Sequence, residues 1–351
     1  MDILNWYYHM RLKPWLFEQS KDDNEIAHEL MLKWLQKFEK RPWLCRLLQA
    51  IQDASSRRTC TDVMGLPFQN PIILAAGVDK NCEAWNALSI LGPGGIEHGG
   101  VVPEPQPGND RPRLYRHEDI SEIDNSQGFP SHGMEVVRSR VEKLSRTSVL
   151  HGCNLGKNRD TPLENTADDM CATMECLYSY FDWFTINVSS PNTVGLRDAQ
   201  TEEALEVIAS RVVALSFALS NRLGIPMRPI RVKIAPDVPN DLLVRLLAVA
   251  IKCGVKCVVL GNTRLSALPD GRPAGRSGPS QYPRTLEMVE IAAPILHEAE
   301  LFLSACGGIS TVRRAIEVLR AGADTVEILT TLFFNGPGQV RRMVKGISRY
   351  V

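Results

Sequence analysis

The chain has 351 residues, 44% of them hydrophobic and 23% charged. That composition supports a large folded core and argues against disorder. Lys+Arg and Asp+Glu both number 40, which argues against nucleic acid as the main partner, because a nucleic-acid binder needs a clear basic excess. The nine cysteines, at Cys45, Cys60, Cys82, Cys153, Cys171, Cys176, Cys253, Cys257 and Cys306, are odd in number and contain no C-x-x-C. They read as reduced thiols packed as small apolar groups, with neither a disulfide framework nor a zinc site. His98 and His132 lack companions at ligand spacing, so no metal is expected. No apolar run reaches bilayer length and no leader pattern precedes the fold, so the chain reads as intracellular, with any membrane contact peripheral.

Residues 1–50 differ from the rest and are read as a small helical extension. Four of the six tryptophans lie there, at Trp6, Trp15, Trp34 and Trp43. Ile26, Leu30, Met31, Trp34, Leu35 and Phe38 fall on one face of a helix. Asp22, Asp23 and Asn24 are its candidate N-caps. Leu4, Trp6, Tyr7, Met10 and Trp15 suggest a shorter helix before it. The extension is either a hairpin docked through its apolar face or an interfacial element. In the second case Trp and Tyr sit at headgroup level, with Arg11, Lys13, Lys33 and Lys37 toward anionic lipid. A short β-hairpin is expected over 59–68, with Gly65 at its turn.

From residue 71 short apolar runs alternate with helical patterns. The runs are 72–76, 95–98, 149–155, 183–188, 230–234, 257–260, 302–305 and 325–328. The helical stretches are 83–91, 132–145, 164–180, 202–223, 241–253, 283–297, 311–321 and 338–350. Eight such pairs predict an α/β fold, a (β/α)8 barrel over 51–351. An open doubly wound sheet is the competitor, but no G-x-G-x-x-G follows the first strand.

Barrel chemistry gathers on the loops after the strands. The run from Asp182 to Arg197 starts as a buried strand and ends in Asn187, Ser189, Ser190, Asn192 and Thr193. Amides that donate and accept suit a planar polar ring, and a hydroxyl among them can act as a base. Alone, the same residues could be a capped turn. Lys233 on strand five is costly inside a barrel unless it meets an anion or acceptor. Gly307-Gly308 before Ser310 offers backbone N–H groups to phosphate, and the loop carrying Gly278 could add more. The loop 265–282 is long enough to be a lid.

Several stretches resemble the class 2, quinone-linked dihydroorotate dehydrogenases over nearly the whole chain. They include Asn70 to Asn81, Pro103 to Leu114, Asn154 to Asn158, Asn187 to Thr193 with Gly195-Leu196-Arg197, Val232 to Asp237, and Arg320 to Ala323. The resemblance implies FMN across the barrel mouth, oxidising dihydroorotate to orotate in pyrimidine biosynthesis, with quinone as acceptor. It implies that Ala76, Gly77, Lys80, Gly100, Asn154, Asn187 and Lys233 contact the flavin ring. Gly278, Gly307, Gly308 and Thr330 would hold its phosphate. Lys80, Asn187, Asn192, Asn262 and Thr263 would grip the substrate. Ser190 would be the base, with Thr193 helping its proton leave. The extension would form the mouth of a quinone tunnel on the cytoplasmic face of a membrane.

The departures cluster at the mouth. The family's Gly-Phe-Asn is Gly128-Phe129-Pro130 here, and proline has neither side-chain donor nor N–H. Ser126, Gly100, Gly261 and Leu329 replace the usual Arg, Thr or Ser, Thr and Tyr, while Arg276 is expected to bring a charge near the phosphate. Three readings follow: an ordinary dihydroorotate dehydrogenase, a relative acting on another small ring, and a flavin-binding protein without turnover.

Overall fold

A computed structural model describes residues 3–21, 23–39, 41, 43, 59–145, 147–188 and 201–350. Its strands are β1 (Thr61–Val63), β2 (Leu66–Phe68), β3 (Ile72–Leu74), β4 (Gly95–Val101), β5 (Leu114–His117), β6 (Glu122–Asn125), β7 (Leu150–Leu155), β8 (Trp183–Asn187), β9 (Ile230–Ile234), β10 (Cys257–Leu260), β11 (Arg264–Ala267), β12 (Pro273–Ser277), β13 (Phe302–Cys306) and β14 (Thr325–Ile328). Eight of them close a barrel in the order β3-β4-β7-β8-β9-β10-β13-β14. Every neighbouring pair in it is parallel. The expected barrel is therefore present, and the open sheet is excluded. Parallel strands need crossovers, and helices at Thr166–Leu177, Glu202–Leu223, Asn240–Lys252 and Tyr282–Glu298 supply four of them.

The helix after β3 is shorter than the sequence pattern suggests, spanning only Trp85–Ser89. The Asp79 carboxylate accepts from the N–H groups of Glu83 and Ala84 at 2.8 and 2.9 Å. That side-chain cap satisfies backbone donors ahead of the helix and holds the chain in a turn. β4 runs three residues further than expected, to Val101, and is buried throughout.

One sheet had no signal in the hydrophobic pattern. β11, β12, β6 and β5 form a four-stranded antiparallel sheet, in that order. The long loop expected as a lid is thus largely the β11–β12 hairpin, paired through β12 to β6. Arg276 fixes the seam, its guanidinium donating to the Asp124 carboxylate at 2.6 and 2.8 Å.

The expected hairpin forms with β1 and β2, and Gly65 takes a φ of 73° at its turn. Val63 and Phe68 on it pack with Ile73 and Trp183. Trp183 fills the barrel's floor. A Cβ placed on Gly152 would lie 1.9 Å from its indole ring, so only glycine fits there.

The extension comprises α1 (Ile3–Tyr7), a π-helical turn (Tyr8–Leu12), α2 (Lys13–Ser20) and α3 (Asn24–Glu39). Asp23 is the N-cap of α3, accepting from Glu25 and Ile26 at 2.9 and 3.0 Å. Tyr8, Leu12, Leu16 and Ala27 form a small core of their own. The extension is docked on the barrel: Tyr8 donates to the Phe333 carbonyl at 2.7 Å, and Asn5 accepts from the Gly338 N–H at 2.9 Å. Arg113 and Glu25 add a buried ion pair at 2.7 Å. Trp6, Met10 and Trp15 remain exposed. The boundary near residue 50 lies outside the described residues. Among those residues no helix is long and apolar enough to cross a membrane.

Gly152→Ala should overpack the floor against Trp183 and cost about 1–3 kcal/mol. Urea denaturation of the variant should show a midpoint lowered accordingly.

Candidate active site

Side chains alternate along a strand, so Arg231 and Lys233 on β9 both point into the barrel. Their neighbours on β8 are Thr185 and Asn187, in register with them. Across the barrel β14 brings Glu327. The Lys233 ammonium donates to Glu327 Oε2 at 2.8 Å. Arg231 donates to the other oxygen of the same carboxylate. Arg231 also lies 3.4 Å from Glu97 on β4. Glu97 accepts from Thr185 at 2.6 Å, Asn154 at 2.7 Å and Trp183 at 3.3 Å. Asn187 then donates to Asn154 at 2.8 Å.

These charges are almost fully buried. Burial alone would push the Glu327 carboxyl up, but Lys233 and Arg231 outweigh it and hold the group below the usual carboxylate range. Burial likewise opposes the Lys233 ammonium, but the Glu327 and Glu97 carboxylates outweigh it and raise its pKa. Cys306, beside Lys233, is pushed up to about 12, chiefly by burial, and stays a neutral thiol.

Above this layer opens a cavity. Ala76, Gly77, Lys80, Gly100, Asn187, Lys233, Asn262, Thr263, Gly278, Gly307, Gly308 and Thr330 all line it. Asn154 does not; it stands fully buried behind Asn187 and orients that amide. Ser190, Asn192 and Thr193 lie outside the described residues. At one end Thr330 donates to Ser277 at 2.8 Å, beside the three glycines. A Cβ on Gly308 would stand 2.5 Å from the Tyr282 nitrogen, leaving room only for glycine backbone in this cradle. Amide and ammonium at one end, with hydroxyls and glycine backbone at the other, fit a planar ring carrying a phosphate tail.

The departures have physical counterparts. A Cβ on Gly100 would lie 2.6 Å from the Phe129 ring, so that ring occupies the space a threonine side chain would fill. A Cβ on Gly261 would lie 1.8 Å from the Cys306 carbonyl. Pro130 does line the cavity. Arg276 does not itself line the cavity, because Asp124 holds its guanidinium in the antiparallel sheet at 2.6 Å.

The same cavity continues between the helices of the extension, past Tyr8, Leu16, Phe17, His28 and Met31. Among the described residues Arg116 Nε has no hydrogen-bonding partner. The Arg116 guanidinium stacks between Phe17 and Phe334, 5.0 and 4.6 Å from their centroids. Burial, helped by Lys80, pushes His28 down to about 3.

A closed barrel with its polar side chains gathered at the carboxyl ends of the strands defines a (β/α)8 barrel enzyme. Residues 58–351 match the family model described as dihydroorotate dehydrogenase. The chain is 37% identical over 334 residues to a dihydroorotate dehydrogenase (quinone) of Vibrio parahaemolyticus, covering 93% of this chain and 96% of that one. A relative of the same name from Roseiflexus is 35% identical over 346 residues, 96% of this chain and 92% of that one. The crystal structure of an Eimeria tenella DHODH in complex with ferulenol superposes with a TM-score of 0.82 at 28% identity, over 93% of this chain and 90% of that one. The chain belongs to the dihydroorotate dehydrogenase family.

The sequence reading missed Glu327, Arg231 and Glu97. Their signal was a charge inside each of three short apolar strands, with Arg231 and Lys233 two apart on one face.

His28 gives a pH test. The unfolded chain takes a proton on this imidazole near its ordinary 6.5, but the folded protein does so only near 3. The folded state is therefore penalised as pH falls through that window. His28→Leu should lose this penalty, so its denaturation midpoint should fall less than the wild type's between those two values.

Proposed function

We propose that the protein oxidises dihydroorotate to orotate, with FMN as cofactor and a quinone as electron acceptor. The observation that carries this is the single cavity running from Lys233 and Asn187 to the apolar passage between α2 and α3, in a chain of this family. When bound, FMN would supply the acceptor for the substrate's hydride and the donor of those two electrons to quinone. Lys233, Asn187 and the backbone at Ala76, Gly77 and Gly100 hold its ring. Asn154 acts through Asn187. Gly278, Gly307, Gly308 and Thr330 hold its phosphate. Lys80, Asn192, Asn262 and Thr263, with Asn187, orient the substrate. Ser190 takes the proton from the substrate carbon, and Thr193 helps it leave. Burial lowers the Lys80 pKa, with Glu25 opposing, so a substrate carboxylate there meets a poorly hydrated ammonium.

The passage is apolar, with a neutral imidazole and a stacked guanidinium as its polar points. A quinone needs apolar walls and a few donors for its carbonyls. Its entrance would rest on a membrane surface, from the cytoplasmic side, through exposed Trp6, Tyr7, Met10 and Trp15. Lys13 is occupied by Glu118 at 2.9 Å, leaving Arg11, Lys33 and Lys37 to meet anionic lipid.

Pro130 supports a second reading, a different small ring as substrate, because it brings no donor to the cavity wall. Anaerobic mixing decides between them. Dihydroorotate should bleach the flavin absorbance of the holoprotein within one turnover; a lasting yellow colour would leave another ring as substrate or a flavin-binding protein without turnover. Pro130→Asn should restore one hydrogen bond of about 1 kcal/mol, lowering KM for dihydroorotate about fivefold in steady-state assays. His28→Ala should slow reoxidation by quinone far more than reduction by dihydroorotate, as seen by stopped flow.

A further inference from the structure

The mouth carries a lysine whose charge is already answered. Lys233 is the cation that would meet the flavin's N1–O2 edge, where negative charge develops on reduction. A bare ammonium there would favour the reduced ring. In this protein the ammonium donates to Glu327 Oε2 at 2.8 Å, and Arg231 donates to the other oxygen. The group holds two cations, Arg231 and Lys233, and two anions, Glu97 and Glu327. Its formal sum is zero. Glu97 makes its direct hydrogen bonds to Thr185, Asn154 and Trp183, whereas Lys233 donates to Glu327. Glu327 is thus the anion that answers Lys233. It also lines the cavity, so its charge faces the same space as the ammonium. The neutral Cys306 thiol adds nothing to the sum.

We propose that Glu327 is a positioning residue that sets the reduction potential of the bound flavin. By sharing its carboxylate between Arg231 and Lys233, it holds the ammonium in place and cancels its field at the ring. The potential is therefore kept low, which hastens delivery of electrons from reduced flavin to quinone. The low-dielectric setting makes each of these charges count for more than it would in water.

The inference rests on FMN being the cofactor, and the test separates the two claims. The midpoint potential of bound FMN is measured by anaerobic reductive titration against a reference dye, in the full chain. Glu327→Gln keeps the shape and removes the anion. It should shift the two-electron equilibrium toward reduced flavin by at least about tenfold, or about 30 mV upward. Arg231→Gln removes a cation from the same group, and it should shift the potential downward by a similar factor. A purely structural role would lower thermal stability in both variants without moving the potentials in opposite directions. An unchanged or lowered potential in Glu327→Gln would overturn the proposal. Should that variant fail to hold FMN, Arg231→Gln decides, and an unchanged or raised potential there overturns it equally. A folded wild-type protein that takes up no added FMN would defeat the cofactor reading beneath the proposal, and the proposal with it.

Discussion

Two cations stand two residues apart on one short strand, and the barrel interior is built to answer them. Arg231 and Lys233 face inward because a strand's side chains alternate. Leaving either uncompensated in a buried setting would cost several kcal/mol. Glu327 meets both, and Glu97 meets Arg231 from the other side. Thr185, Asn154 and Trp183 then satisfy Glu97, and Asn154 in turn fixes Asn187. One electrostatic requirement thus propagates through β4, β7, β8, β9 and β14 to the amide at the cavity wall. The floor obeys a steric requirement of the same kind, with the Trp183 ring against the glycine faces of Gly95 and Gly152.

Much of this was legible in the sequence, for identifiable reasons. Short runs rich in Val and Ile, bounded by turn residues, mark strands, so 230–234, 257–260 and 325–328 matched theirs residue for residue. The helix 202–223 did so too, with Thr201 accepting from Ala204 at one end and Gly224 in a left-handed turn at the other. The lid sheet was hidden because its strands lack an apolar face: β11 is mostly exposed and β5 half-buried. Such strands are held by polar pairs such as Arg276 with Asp124, which only the folded chain reveals. Among the described residues, those singled out for the site line one cavity, except Asn154, which stands behind its neighbour. The charge network escaped notice because its members come from three distant strands, each innocuous alone. The run containing Ser190, Asn192 and Thr193 was singled out by its amides and hydroxyls and lies outside the described residues.

The lid sheet and the extension meet the barrel mouth from two sides. β6 and β12 contribute Ile123, Asn125 and Ser277 to the cavity wall, while α2 and α3 contribute Leu16, Phe17 and His28. The polar half of the cavity is thus enclosed by hydrogen-bonded sheet and the apolar half by helix. A single space acquires two chemical characters because two kinds of element border it. Arg116, on β5, stands at the junction, its charge spread against Phe17 and Phe334.

The Tyr8 hydroxyl rests on the Phe333 carbonyl, and the Asn5 amide receives the Gly338 N–H. These partners sit more than three hundred positions apart along the chain. A ribosome makes the first long before the second. The aromatic helices therefore have no finished seat until residues 333–338, far later in the chain, have been made. Through that interval their apolar side chains lack the barrel surface that later covers part of them, so order of synthesis sets how long that face stays open.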